Sequence, residues 1–322
     1  MNFRNLIVIA GTLLGMQMAA LWLDSQPLLP GSVYAQSASS APQQDSDYAP
    51  QGAQTCLTCH NNPVVTSILQ TGHGNSNISG SPFANRACES CHGASPDHVS
   101  ALQEPAVVFV GSGRFPASDV QVQNQMCLNC HQSRETVHWS ASEHQAADLA
   151  CVSCHTIHAS QSSVTNELRD QNLCLTCHLE QRSQLNRRSH HPVNEGLMSC
   201  NDCHNPHGSP AVGMLSRNTV NETCTSCHAE KRGPFLWEHQ PVSEDCTVCH
   251  NPHGSTQDRM LAVRQPFLCQ SCHSETFHPS FLYSGDDIAA GNPGQSMVGS
   301  SCTNCHSLIH GSNHPSGARL TR

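Results

Sequence analysis

Residues 224–255 read CTSCHAEKRGPFLWEHQPVSEDCTVCHNPHGS. Two cysteine pairs, Cys224/Cys227 and Cys246/Cys249, are each followed at once by a histidine, His228 and His250. Two more histidines, His239 and His253, stand at short intervals behind them. Residues at i, i+3 and i+4 share one face of a helical turn. Two thiols placed so can add across the two vinyl groups of one porphyrin, and the next imidazole can take its iron. C-x-x-C-H is the attachment signature of c-type haem.

The same pentapeptide recurs outward in both directions. The remaining pairs are Cys56/Cys59, Cys88/Cys91, Cys127/Cys130, Cys151/Cys154, Cys174/Cys177, Cys200/Cys203, Cys269/Cys272 and Cys302/Cys305. They are followed by His60, His92, His131, His155, His178, His204, His273 and His306, and no cysteine is left over from the 20. Zinc ribbons and redox dithiols also use C-x-x-C. Neither they nor a disulfide framework needs histidine at every fifth position. Histidine is 23 of 322 residues, so ten such matches by composition alone have odds of about one in a few hundred billion. The reading is ten covalently bound haem c groups, with these ten histidines as proximal iron ligands.

The other histidines form a repeat. Each unit runs C-x-x-C-H, histidine, C-x-x-C-H, histidine. The second set is His73 and His98, His144 and His158, His191 and His207, His239 and His253, and His278 and His310. The five units span 56–98, 127–158, 174–207, 224–253 and 269–310, and the middle three recur every 45–50 residues. Ten proximal ligands matched by ten regular partners imply bis-histidine iron throughout. His138, His190 and His314 are left over. In the last unit His278 follows His273 unusually closely, so His314 is a substitute for it. A histidine three residues behind a proximal one cannot reach round the same porphyrin. His158, His207, His253 and His310 are therefore expected to ligate a haem other than the one just before them.

Composition agrees with a cofactor core. The apolar set is 37% with cysteine counted in it, and aromatics are 4%, against roughly 45–50% apolar in ordinary globular domains. A conventional α/β enzyme core and a polytopic membrane protein are both excluded. The expected fold is a multihaem cytochrome c: mostly irregular, with short α-helices at the motifs, negligible sheet, and an elongated stack of ten haems as the core.

Arg4, then an apolar run from Leu6 to Leu23, then Val33-Tyr34-Ala35, read as a signal peptide at 1–35 cleaved after Ala35. An uncleaved anchor is the alternative, since the run is 18 residues. Residues 36–54 read as a flexible leader, and 55–322 as the decahaem domain. Losing 1–35 removes Arg4 and Asp24 and leaves the net charge at −9. Ten haems with ionised propionates would add about −10 when oxidised and about −20 when reduced, which argues against nucleic acid as a partner.

The stretches 224–255 and CTNCHSLIHGSNHPSG at 302–317 resemble the periplasmic decahaem cytochromes of the MtrA/DmsE/MtoA type, the inner component of porin–cytochrome conduits. The ten-motif architecture matches over roughly 56–322. The resemblance implies a line of haems inside an outer-membrane β-barrel porin. It also implies a periplasmic or inner-membrane quinol-linked cytochrome on one side and an outer-surface multihaem cytochrome or terminal acceptor on the other. The leader at 36–54 carries no motif of that family. Two other functions remain in view, a diffusible periplasmic electron store and a multihaem reductase. A reductase needs an iron with a replaceable axial position, and the histidines here suffice to close every iron. The expectation is electron transfer without catalysis.

Overall fold

Every attachment motif closes a helical turn. In all ten, the histidine N–H donates to the carbonyl of the first cysteine at 2.9–3.1 Å, the i+4 bond of an α-helix. Both thiols and the imidazole of each motif thus share one face. The computed structural model describes residues 47–159, 171–273 and 301–321. The signal segment and most of the leader lie outside them, as does His278.

The two motifs of a unit are built differently. The first cysteine of each unit lies on a short α-helix: α1 (Ala53–Leu57), α2 (Val120–Leu128), α3 (Gln171–Leu175), α5 (Val220–Thr225) and α6 (Phe267–Gln270). A further helix, α4 (Leu179–Leu185), follows the third of these motifs. The second motif opens in four units as a 3-10 turn, at Cys151–Ser153, Cys200–Asp202, Cys246–Val248 and Cys302–Asn304. Caps start the longer helices. Asp119 accepts from the Gln121 N–H at 2.8 Å to begin α2. Thr219 accepts from Glu222 at 3.1 Å while the Glu222 carboxylate takes the Asn218 N–H at 3.1 Å, which begins α5. Even α2 has only nine residues, too few to hold as an isolated helix.

Asparagines, buried at Asn124 and half-buried at Asn221, join the two motifs inside a unit. Asn124, three residues before Cys127, accepts from the Cys151 N–H at 2.8 Å and donates to the Leu149 carbonyl at 2.9 Å. Asn221, three before Cys224, does the same for Cys246 and Val242, both at 2.9 Å. In the last unit Gln265 takes over, accepting from Ser301 and Thr303. In the first unit the chain just ahead of α1 is tied down: the Ala49 N–H donates to Glu89 at 2.9 Å, and Arg86 covers the Tyr48 ring at 3.6 Å.

Successive units are clasped by His-Gly-Ser segments. Ser255 exchanges two backbone bonds with Ser189, at 2.8 and 3.1 Å, and Ser312 exchanges two with Trp237, at 2.8 and 2.9 Å. Gly254 (φ +141°) lies against the Gln184 carbonyl at the end of α4, and Gly311 (φ +136°) against the Phe235 ring. Gly208 rests on the His138 carbonyl in the same way.

Among the described residues, β-structure is confined to isolated bridges. The buried apolar set is Ile68, Val107, Trp139, Leu175, Leu185 and three alanines, while Val212 is 91% exposed. Such a core cannot hold a chain of this length. Short helices, irregular connectors and almost no sheet make the fold expected from the sequence. Among the described residues, no helix is long and apolar enough to cross a membrane.

Candidate haem centres

An imidazole nitrogen lies about 2 Å from a bound metal and about 1.1 Å from its own ring centre, so two imidazoles across one iron have centroids about 6.2 Å apart. Nine pairs of histidine rings among the described residues stand 5.9–6.3 Å apart, each joining one motif histidine to one from the second set. The residues present therefore fit two axial ligands per iron.

The pairing crosses every junction in both directions. The middle histidine of each unit reaches forward to the next unit's first motif: His73 to His131, His144 to His178, His191 to His228 and His239 to His273. The last histidine of each unit reaches back to the previous unit's second motif: His158 to His92, His207 to His155, His253 to His204 and His310 to His250. The first unit has no predecessor, and its His98 turns inward to His60.

The second ring nitrogen is positioned by main-chain carbonyls. A metal-bound imidazole carries its proton on the free nitrogen and usually donates it. Nδ1 of His98, His144, His158 and His191 lies 2.6, 2.8, 3.0 and 2.8 Å from the carbonyls of Gln103, Pro206, Val65 and Pro252. In the second motifs, His204, His250 and His306 reach the carbonyls of Gly213, Arg259 and Arg319 at 2.8, 2.8 and 2.6 Å. His92 meets Val107 at 3.3 Å. Burial holds His73, His92, His207, His239, His253 and His310 below the ordinary imidazole range. Neutral rings keep the lone pair a metal needs.

Two of the leftover histidines have both nitrogens engaged, or the wrong one protonated. His190 faces Glu195 through Nε2 at 3.1 Å and the Arg187 carbonyl through Nδ1 at 2.5 Å. The Glu195 carboxylate raises its pKa, which favours an imidazolium with nothing to give a metal. His314 Nδ1 accepts from the Ser316 N–H at 3.2 Å, so its proton sits on Nε2. His138 is exposed, and its carbonyl, not its ring, meets Gly208.

The thiols form a second series. Within each unit the first thiols lie close enough for each to perturb the other's ionisation: Cys56 with Cys88, Cys127 with Cys151, Cys174 with Cys200, Cys224 with Cys246, and Cys269 with Cys302. Between units the second thiols are close enough for one charge to disfavour the other: Cys91 with Cys130, Cys154 with Cys177, Cys203 with Cys227, and Cys249 with Cys272. Cys59 and Cys305 depart from this pattern. Both are exposed, as Cys130, Cys154, Cys177, Cys227 and Cys272 are too, and neither belongs to these two sets. The reason is their place in the succession. They are the second thiols of the first and the last motif. Sequence reasoning missed the asparagine bridges and the carbonyls that meet Nδ1. An asparagine three residues before Cys127 and Cys224 was the available signal. Backbone carbonyls leave none.

Comparison with known proteins agrees with the motif reading. A family model for the doubled CXXCH motif matches residues 190–233 and 239–278, and one for the NrfB-like cytochrome c-type protein matches 88–171. The multiheme cytochrome MtrA of Shewanella baltica (strain OS185) is 45% identical over 281 residues, covering 86% of this chain and 84% of the relative. The cytochrome c-type protein NrfB of Haemophilus influenzae is 30% identical over 164 residues, covering 44% of this chain and 71% of the relative.

Proposed function

This chain belongs to the MtrA family of multihaem c-type cytochromes, and we propose that it is a ten-haem electron conduit held in an outer-membrane barrel. Haem iron, bound at these centres, supplies reversible one-electron exchange between its ferric and ferrous forms. The chain's own residues tether, orient and space it. The twenty cysteines, Cys59 and Cys305 included, would form the thioether anchors, and the paired histidines would hold the irons. We assign the tenth iron to His306 and, by its place in the repeat, His278, since the Ser316 N–H engages Nδ1 of the alternative, His314.

The observation that carries this reading is the exchange of histidines across every described junction. A store of charge would be served by five self-sufficient units. Reciprocal ligation instead binds the units into one fixed succession, and the alternating thiol contacts run through the motifs in chain order. That supports a single decahaem domain over 55–322, following an export signal at 1–35 and a leader at 36–54. Two imidazoles per iron leave no position for a substrate, which disfavours the reductase reading.

A polar, loop-rich chain cannot face lipid, because irregular backbone is tolerated at membrane depth only when enclosed by protein. The water-filled lumen of a barrel offers a polar wall. One end would then exchange electrons with a periplasmic or quinol-linked cytochrome, the other with an outer-surface cytochrome or acceptor. The test is reconstitution in liposomes that enclose a reduced dye, with an impermeable oxidant outside. Dye oxidation is expected only when cytochrome and cognate barrel are both present. Equal oxidation without the barrel, or none with it, overturns the conduit.

A further inference from the structure

Two ring nitrogens in this ladder are buried without a hydrogen-bond partner. Nδ1 of His207 is buried and has no hydrogen-bond partner. Nδ1 of His239 is buried too and out of hydrogen-bond geometry, but the Ile309 carbonyl lies beside it. His253, one unit on from His207, is not among the buried unpartnered atoms. We propose that the unmet Nδ1–H of His207 makes the iron shared by His155 and His207 the most readily reduced of the nine whose histidine pairs are described, the place where an electron dwells. The inference rests on the bis-histidine reading above.

The argument follows the ring's electrons. With iron on one nitrogen, the other must carry the proton. Where that proton is donated to a carbonyl, as from His144 to Pro206 at 2.8 Å, the ring gains imidazolate character and becomes a stronger donor. Stronger donation favours ferric over ferrous iron and lowers the potential. His207 lacks this push. Its surroundings act in the same direction, since a dry site disfavours the more positive ferric state.

The slot is closed by the preceding unit. Trp139 is 8% exposed, and its ring lies 6.4 Å from that of His207 at a tilt of 59°. Behind the ring, Gly208 (φ +103°) sits so close to the 138–142 segment that a Cβ would stand 2.6 Å from the His138 carbonyl. Ser142, 3% exposed, has its hydroxyl engaged with the Gln145 N–H at 3.0 Å. Trp139 is thus a positioning residue: it touches the imidazole and keeps acceptors away from it. Reduction there adds one electron from the upstream carrier and breaks no bond.

The test is a redox titration of the full-length, haem-loaded protein with two substitutions at one position. Trp139→Gln brings an acceptor and admits water, whereas Trp139→Phe keeps the slot dry. The Gln variant should lose tenfold or more in the reduction equilibrium of the highest-potential haem of those nine, a fall of about 59 mV for one electron. The Phe variant should titrate like the wild type. Equal shifts in both, or none in either, overturn the inference. Cys151→Ala with Cys154→Ala gives a second arm, since removing that haem should delete the highest-potential component of those nine. Its persistence also overturns the inference. His207→Met separates the two layers of argument. If no methionine–iron charge-transfer band appears, the ligand reading itself fails. If the band appears while the titrations stay unchanged, only the potential assignment fails.

Discussion

An imidazole that holds iron has one nitrogen left for the protein, and the partner of that nitrogen decides which residue can be a ligand. His158 shows why position in sequence misleads. It stands three residues behind His155, yet its ring pairs with His92 at 6.2 Å and its Nδ1 meets the Val65 carbonyl, 93 residues away in sequence. Methionine in its place should ligate the haem tethered at Cys88 and Cys91. A methionine–iron charge-transfer band is therefore expected in His158→Met. It should vanish when Cys88 and Cys91 are replaced by alanine and survive when Cys151 and Cys154 are replaced. The opposite pattern would return His158 to its neighbour's iron. His138→Met should give no such band, because His138 is exposed and joins no histidine pair.

At the scale of elements, the glycine of each His-Gly-Ser clasp sets how closely two units approach. At Gly254 a side chain would collide with the Gln184 carbonyl at the end of α4 and stand 3.2 Å from the His190 Cβ, at a φ of +141° that disfavours any L residue. Gly254→Ala should therefore cost more than about 1 kcal/mol and loosen two ring pairs together, His204–His253 and His191–His228. The expected sign is a high-spin ferric signal at those two sites in electron paramagnetic resonance, with the remaining haems unchanged. Unit two carries Ala159 where later units carry glycine, and Ala159 does not take a positive φ. Ala159→Gly should leave every haem low-spin. The motif turns and the histidine repeat were legible in the sequence because covalent attachment fixes their spacing within a few residues. The partners were not, because they are chosen by contacts such as Gly254 on Gln184 and His191 on the Pro252 carbonyl. A carbonyl is present at every residue and marks none. The asparagine bridges fall between these cases: Asn124 and Asn221 hold equivalent places, but Gln265 does the same work from a shifted position in the last unit.

For the whole molecule, reciprocal exchange means that no unit is complete by itself. Five self-contained units could be shortened by one without disturbing the rest. The observed pairing forbids this, because the second motif of unit four depends on His310, which lies in unit five. A chain ended after Val263 keeps eight attachment motifs but leaves His250 without its partner. His239 is stranded in turn, since its own partner His273 has gone. Eight haems should attach, seven of them low-spin and one five-coordinate, open to an added ligand. The measurement is carbon monoxide uptake by the reduced, shortened protein, counted against haem by intact mass. One carbon monoxide per chain is expected from the shortened form and none from the full chain, which should carry ten haems. No uptake by the shortened chain would mean that unit four closes on itself. The succession of units would then be a string of separable modules, and the physical argument for a continuous conduit would lose its footing.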